Sequence, residues 1–263
     1  MEKTKIVIAN WKMCPVSIEG AKELFSAVQR TCSPKISAEV VVAPPFVYLT
    51  ELVRLARSFG RGKNLRLGAQ DCFWEQAGAY TGEVSPEILK TLGATHVLIG
   101  HSERRRYLKE TDEMAQKKLA AALRIGIIPI LCVGEDKSVR RKGLASAKQF
   151  VKKQLLTALR SVSQSGTRHE LLVAYEPVWA ISSVSGGKSD TPEEAVAMIL
   201  WIKQLLGAHP FRLATRVLYG GSVNMKNAAG FMELEAIDGA LVGDASLRAQ
   251  EFCVIVKIAS SFS

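Results

Sequence analysis

A glutamate closes one of the most apolar short runs in the chain. Glu176 directly follows residues 171–175, Leu-Leu-Val-Ala-Tyr, and directly precedes residues 177–179, Pro-Val-Trp. Such a run is typical of a buried parallel strand, and α/β proteins place their chemistry at the carboxyl ends of these strands. A carboxylate at that position predicts a general base; the alternative is a solvated charge that only caps the strand.

Polar residues also stand at the ends of other short apolar runs. They are Asn10, Lys12, Gln70, His101, Glu103, Ser222 and Gly243. In a closed barrel of parallel strands, the residues that follow the carboxyl ends face one shared site. We therefore expect these side chains to converge on Glu176.

Eight apolar runs alternate with helical patterns along the chain. The predicted strands are residues 5–9, 40–43, 65–69, 96–99, 127–133, 171–175, 217–219 and 237–242. Apolar residues at three- and four-residue spacing predict helices over residues 18–28, 47–59, 114–123, 145–159, 192–206 and 246–258. Helix starts are expected at Pro86, Pro192 and Ser222, and helix ends at Gly60, Gly93, Gly126 and Gly207. A strand about every 33 residues indicates repeated βα units, not an all-β fold.

One domain is expected to hold all of these elements. The chain has 263 residues and no Ser/Pro-rich linker, and single α/β barrels commonly run to about 250 residues. Eight βα units could also form an open doubly wound sheet, but no G-x-G-x-x-G motif follows the first strand. The sequence therefore favours a closed (β/α)8 barrel over residues 1–263.

Composition argues against several functional classes. The chain is 48% apolar and 23% charged, which is ordinary for a globular protein, and its first apolar run is too short for a signal peptide or membrane span. Five scattered cysteines without a C-x-x-C pair argue against a disulfide framework or zinc site and favour a reducing cytoplasm. The net charge of +10 has no nucleic-acid-binding motif beside it, so we expect the positive field to steer a small anion toward a cleft.

Six segments together resemble the signature segments of the triosephosphate isomerase family. They are NWKM at residues 10–13, GAYTGE at 78–83, IGHSERR at 99–105, AYEPVWAI at 174–181, YGGSV at 219–223 and LVGDASL at 241–247. They stand in the family's order and cover the whole chain. The resemblance implies a TIM barrel without cofactor or metal. It also implies interconversion of dihydroxyacetone phosphate and glyceraldehyde 3-phosphate through an enediol or enediolate, a step of glycolysis and gluconeogenesis.

The resemblance also implies roles for individual residues. Glu176 matches the base, and His101 matches a neutral imidazole that hydrogen-bonds the substrate oxygens. Lys12 matches a fixed charge beside the enediolate and the phosphate, and Asn10 matches an amide donor to the same oxygens. Glu103 is expected to be the partner or neighbour of Lys12.

The phosphate is expected to be held by loops at the end of the chain and by a lid. Ser222, Gly243 and Asp244 match the family's phosphate contacts in the last two loops. The lid is expected over residues 177–192, with Ser182 reaching the phosphate and with Tyr219 and Ser222 latching the closed form.

Two departures from the family pattern affect this site. The lid is three residues longer than usual, and Asp244 stands where the family usually has the second glycine of a Gly-Gly pair. We expect Asp244 to cap the final helix with its side chain turned away, so that its N–H remains available for phosphate.

The resemblance finally implies a second copy of the chain. The loop of residues 70–83 is expected to dock near Cys14 of a second subunit and form a homodimer. Cys14 is then either an interface thiol or a small buried apolar residue. Two other functions stay open: isomerisation of another small phosphorylated sugar such as a tetrose phosphate, and binding without turnover.

Overall fold

Eight parallel strands close into a barrel in the computed structural model of this chain. The structure describes residues 4–32, 36–58, 64–160, 162, 169–181, 190–208 and 213–263. The strands are β1 (Ile6–Asn10), β2 (Glu39–Ala43), β3 (Leu65–Ala69), β4 (His96–Ile99), β5 (Ile128–Val133), β6 (His169–Tyr175), β7 (Leu213–Tyr219) and β8 (Gly239–Val242). Each strand pairs with the next, and β8 pairs with β1. The predicted closed (β/α)8 barrel is confirmed.

Helices follow the strands and cover the outside of the barrel. They are α1 (Ile18–Thr31), α2 (Phe46–Ser58), α3 (Pro86–Leu92), α4 (Ser102–Leu108), α5 (Asp112–Ile125), α6 (Lys137–Arg140), α7 (Leu144–Leu159), α8 (Pro192–Gly207), α9 (Ala228–Met232) and α10 (Ala249–Ser261). The expected starts at Pro86 and Pro192 are confirmed, as are the ends at Gly93 and Gly126. Gly60 lies outside the described residues.

Several boundaries differ from the sequence prediction. No helix begins at Ser222, because residues 222–227 form a turn closed by Asn224 and Asn227, and α9 begins only at Ala228. Strand β7 begins at Leu213, four residues before the apolar run, because a polar residue such as Arg216 can also pair in a ladder. The expected helix end at Gly207 is confirmed, because α8 ends at this residue.

Side chains alternate along each strand, so the core has two layers. The same alternation places the functional residues at the mouth of the barrel. Ile6 and Ile8 of β1 pack in one buried cluster with Leu172 and Ala174 of β6, inside the barrel. The alternate residues of each strand pack against the helices in the larger cluster. Because side chains repeat every second residue, Asn10 and Glu176 continue the inward rows and lie at the carboxyl-terminal mouth.

The amino-terminal end of the barrel interior is closed by ion pairs. The Arg216 guanidinium lies 2.9 Å from Glu39 Oε2 and 2.6 Å from Glu170 Oε1, which joins β7 to β2 and β6. His96 lies buried at the start of β4. Its burial, together with the positive charges of Arg216 and Arg66, lowers the pKa of His96 to about 3, so its imidazole is neutral in the folded protein.

A second buried ionic cluster anchors the loop after β3. Lys118 of α5 is almost fully buried, and its Nζ lies 2.7 Å from Asp71 and 2.8 Å from Glu110. Arg104 of α4 contacts the same two carboxylates, each at 2.7 Å. Burial, only partly offset by these cations, raises the pKa of Asp71 to about 6. The cluster thereby holds the base of the 70–83 loop against α4 and α5.

Candidate active site

Glu176 lies buried at the mouth of the barrel between two hydrogen-bonding groups. The residue is 2% exposed. Its Oε2 accepts from the backbone N–H of Ser102 at 3.0 Å, and its Oε1 lies 3.2 Å from His101 Nε2. A Cβ on Gly220 would lie 2.8 Å from the Glu176 Cγ, so only a glycine leaves room for this carboxylate. The strand and its neighbours therefore hold a charged oxygen pair at the position that the sequence predicted.

The environment of His101 defines its tautomer. His101 is the N-cap of α4, and its Nδ1 accepts from the backbone N–H of Glu103 at 3.3 Å. In the neutral ring the proton must then be on Nε2. That Nε2 lies 3.2 Å from the Asn10 Nδ2. Two N–H donors therefore lie side by side next to the Glu176 carboxylate, an arrangement that can hold the oxygens of a bound carbonyl compound.

The first loop aims Asn10 and Lys12 at the same site. Asn10 Oδ1 accepts from the backbone N–H of Lys12 at 3.0 Å, which leaves the Asn10 amide nitrogen facing His101. Lys12 has a φ of 53°, a left-handed conformation that residues with a side chain seldom adopt. Gln70 supports this turn by donating to the Lys12 carbonyl at 2.8 Å. Such local strain is characteristic of functional sites.

The Lys12 ammonium lies between two carboxylates. Its Nζ is 3.0 Å from Glu103 Oε1 and 3.1 Å from Asp244 Oδ1. Burial alone would lower the pKa of Lys12, but the hydrogen bonds and charges of Glu103 and Asp244 outweigh that effect and raise it. Lys12 is therefore a fixed positive charge, and the prediction that Glu103 is its partner is confirmed.

The prediction for Asp244 is wrong. The final helix begins at Ala249, and its N-cap is Arg248, without a side-chain cap. Asp244 instead opens the 3-10 turn Asp244–Leu247, five residues before that helix. From there its carboxylate is within reach of Lys12 and turns into the site, because an ammonium attracts it more strongly than a distant helix end.

These residues line one cavity of about 270 Å³. Its walls include Asn10, Lys12, His101, Glu176, Gly221, Ser222, Gly243, Asp244 and Arg248. Ser222 donates from its Oγ to the carbonyl of Ala180 at 2.8 Å. Tyr219 lies beside the cavity, buried and stacked on Phe231 at 4.2 Å between ring centroids. Ser182 lies outside the described residues, as do residues 183–189 of the expected lid.

Several residues near the site were missed by sequence reasoning. The Ser102 contact uses a backbone N–H, for which no residue type is a signal. Glu135 is fully buried and accepts from Trp179 Nε1 at 2.9 Å and from the Tyr175 hydroxyl. Its burial raises its pKa above the ordinary value, although both donors oppose that shift. Glu135 thereby positions Trp179 near the start of the expected lid, yet in the sequence Glu135 reads as an ordinary loop residue.

Within residues 4–32, 36–58, 64–160, 162, 169–181, 190–208 and 213–263, no three His, Cys, Asp or Glu side chains form a group that could hold a metal ion. In the same ranges, every helix is too short or too polar to cross a membrane.

The fold and the site define a barrel enzyme that moves a proton on a carbon next to a carbonyl. The family model described as Triosephosphate isomerase matches residues 5–259. The triosephosphate isomerase of Caldanaerobacter subterraneus subsp. tengcongensis is 46% identical over 96% of this chain and 98% of its own. Those of Thermoanaerobacter pseudethanolicus and Acidithiobacillus ferrooxidans are 44% and 42% identical, over 96% and 97% of this chain and 98% and 96% of their own. The chain belongs to the triosephosphate isomerase family.

Proposed function

We propose that this protein interconverts dihydroxyacetone phosphate and D-glyceraldehyde 3-phosphate in glycolysis and gluconeogenesis. One observation carries the proposal: the Glu176 carboxylate, the His101 imidazole, the Asn10 amide and the Lys12 ammonium all line one cavity of small-molecule size. Membership of the triosephosphate isomerase family supports it.

Glu176 acts as the base in this mechanism. Its carboxylate takes a proton from the carbon next to the substrate carbonyl and returns it to the neighbouring carbon. The Nε2–H of His101 and the amide of Asn10 donate to the two oxygens of the enediolate, and the Lys12 ammonium offsets its negative charge. Because these donors are held by α4 and the first loop before substrate binds, little reorganisation accompanies the charge movement.

Backbone N–H groups bind the phosphate in this proposal. Ser222, Gly243 and Asp244 line the cavity, in the loops after β7 and β8. Oriented N–H dipoles suit a phosphate dianion. The roles of Ser182 in phosphate binding, of the 177–192 lid in excluding water, and of Tyr219 and Ser222 in latching it belong to the same proposal.

The test is the isomerisation of glyceraldehyde 3-phosphate, coupled to reduction of the dihydroxyacetone phosphate formed. Glu176→Gln keeps the size of the side chain and removes the base, so we expect kcat to fall by about 1,000-fold or more. The matched control is Glu233→Gln, which makes the same change at an exposed residue beside Lys5, at the opposite end of the barrel. Equal activity in the two variants would contradict the role of Glu176. A wild type that does not turn over glyceraldehyde 3-phosphate but isomerises a tetrose phosphate would establish the alternative sugar isomerase. A wild type that binds phosphate and turns over neither substrate would establish the binding protein.

We further propose that the protein is a homodimer, formed through the 70–83 loop and the region of Cys14. Large apolar side chains around these segments are exposed in the single chain: Met13 by 90%, Val16 by 95% and Val47 by 80%. Residues 75–83 are exposed as well. Clustered exposed apolar groups of this kind mark a protein interface.

Sedimentation tests the dimer. Wild type should sediment at twice the chain mass, and Val16→Glu should shift it toward the monomer because a carboxylate would be buried in the interface. Leu200→Glu, on the exposed side of α8, is the control and should stay dimeric. A Val16→Glu variant with unchanged sedimentation would place the interface elsewhere.

The cytoplasm is the compartment that we propose for this activity. All five cysteines are free thiols in the structure, which suits a reducing environment. Fractionation of source cells should recover the isomerase activity with cytoplasmic markers, and recovery with secreted or membrane fractions would contradict this.

A further inference from the structure

Two carboxylates contact the Lys12 ammonium, although one would balance its charge. Glu103 alone, at 3.0 Å, already balances the ammonium. Asp244 adds a second carboxylate at 3.1 Å, so the three groups together carry a net charge of −1. Lys12 and Asp244 line the cavity that is proposed to receive a phosphate dianion. An extra carboxylate is therefore unfavourable for that ligand.

We propose that Asp244 is a specificity-determining residue, whose carboxylate competes with the phosphoryl group of the substrate for the Lys12 ammonium. The inference rests on the proposed function, because it assumes that the anionic ligand occupies this cavity. On Lys12, the Asp244 carboxylate takes the place that the phosphate would occupy. Binding of a dianion then requires the carboxylate to leave Lys12, while the backbone N–H of residue 244 remains a donor.

Arg248 is suited to receive the displaced carboxylate. It lines the same cavity, four residues after Asp244, at the start of α10. Its side chain is 61% exposed, and its Nε pairs with Glu251 Oε2 at 2.5 Å. A guanidinium has donors on several edges, so it can hold Glu251 and Asp244 together. The exchange from Lys12 to Arg248 keeps Asp244 paired and frees Lys12 for the substrate.

The competition should be moderate in size. The Asp244 side chain is 47% exposed, so water screens much of its repulsion with a bound phosphate. We expect it to weaken the binding of a dianion about three- to tenfold. The binding of an uncharged triose should be affected much less, since it brings no charge to the subsite.

The experiment compares Asp244→Asn and Asp244→Gly with wild type in two assays. Calorimetry measures the dissociation constant of inorganic phosphate, which needs no turnover. Kinetics gives the ratio of kcat/KM for glyceraldehyde 3-phosphate to that for unphosphorylated glyceraldehyde. Both variants should bind phosphate about three- to tenfold more tightly, lower KM for the phosphorylated substrate and raise the ratio. Glu233→Gln, with the same loss of charge far from the cavity, should leave all three quantities at wild-type values.

Two results would overturn the inference. One is unchanged phosphate affinity in both variants. The other is tighter binding in Asp244→Gly alone, because that would assign the effect to backbone freedom and not to charge. Arg248→Met adds a further check: loss of the receiving cation should weaken phosphate binding in wild type but much less in the Asp244→Asn background, and equal losses would contradict the exchange.

The two proposals can fail separately. If wild type bound phosphate and Asp244→Asn bound it more tightly, without isomerase activity in either, the competition would hold and the proposed function would fail. If the isomerase activity were normal and the phosphate affinity of the variants were unchanged, the proposed function would hold and the competition would fail.

Discussion

The two ends of the barrel interior hold their charges in different ways. At the amino-terminal end, Arg216 makes short ion pairs with Glu39 and Glu170, and all three residues belong to strands. At the carboxyl-terminal end, Lys12 lies between Glu103 and Asp244, and all three follow the strands in loops or short helical turns. Both ends are therefore ion-paired, but only one of them has partners that can move.

This difference separates stability from function in one fold. Charges on strands are held by the barrel ladder itself, so their pairing adds to the free energy of unfolding and leaves nothing for a ligand. Charges on loops can exchange one partner for another at a small cost, which is what a binding site needs. Substitutions at the amino-terminal end should therefore lower stability, and substitutions at the carboxyl-terminal end should lower activity.

The largest effect is expected from Lys12→Met at the carboxyl-terminal end. The variant removes the cation that we assign to the enediolate and the phosphate, so kcat/KM should fall by about 1,000-fold. Its free energy of unfolding should change by less than about 1 kcal/mol, because Glu103 and Asp244 stay partly solvated. Steady-state kinetics and urea unfolding measure the two quantities. A large loss of stability with retained activity would reverse the comparison.

Arg216→Met should show the opposite pattern. Two carboxylates at the closed end would lose their cation, and because these ion pairs are partly exposed, the loss should cost about 2–3 kcal/mol of unfolding free energy, between the values for exposed and fully buried pairs. The value of kcat should remain close to wild type, since the site lies at the other end. Arg54→Met removes an exposed arginine and should change stability by less than about 0.5 kcal/mol. Equal midpoints of urea unfolding for the two variants would show that the closed end is not a stabilising cluster.

The smallest effect depends on pH and concerns Asp190, which precedes α8 beside the site. Burial, followed by the neighbouring Glu194 and opposed by Arg140, raises the pKa of Asp190 from 3.8 to about 8. Tyr175 and Tyr219 face the same carboxyl group. Because the folded-state pKa is raised, the stability due to the protonated carboxyl is fully present below about pH 4. It is lost as pH rises through about 8.

Asp190→Asn mimics the protonated carboxyl at every pH. It should match wild type near pH 4 and exceed it by about 2 kcal/mol near pH 9, measured by urea unfolding across that range. His96, at the closed end, is expected to have the opposite slope, since its lowered pKa costs stability as the solution becomes acidic. A stability difference between Asp190→Asn and wild type that did not grow with pH would contradict the assignment.

Much of the fold and of the site could be predicted because local patterns repeat. The eight apolar runs correctly predicted eight strands. Each site residue in the described region that follows a strand lies where the corresponding apolar run ends. The prediction was wrong at Ser222, where an asparagine turn delays the helix, and at Asp244, where a long-range ammonium outweighs a local cap. The first half of β7 was not predicted, because the charged residue Arg216 interrupts the apolar run.

The amino-acid sequence by itself determined the barrel and the order of its loops, because alternation and spacing are encoded locally along the chain. It indicated the family through the resemblance of six signature segments. Only the tertiary structure decided which charges meet. The pairing of Lys12 with Asp244 spans 232 residues, and the hydrogen bond from the Ser102 N–H to Glu176 spans 74. Ion pairs and backbone donors of this kind depend on distances in space that closure of the barrel sets, and neighbouring residues along the chain do not report them.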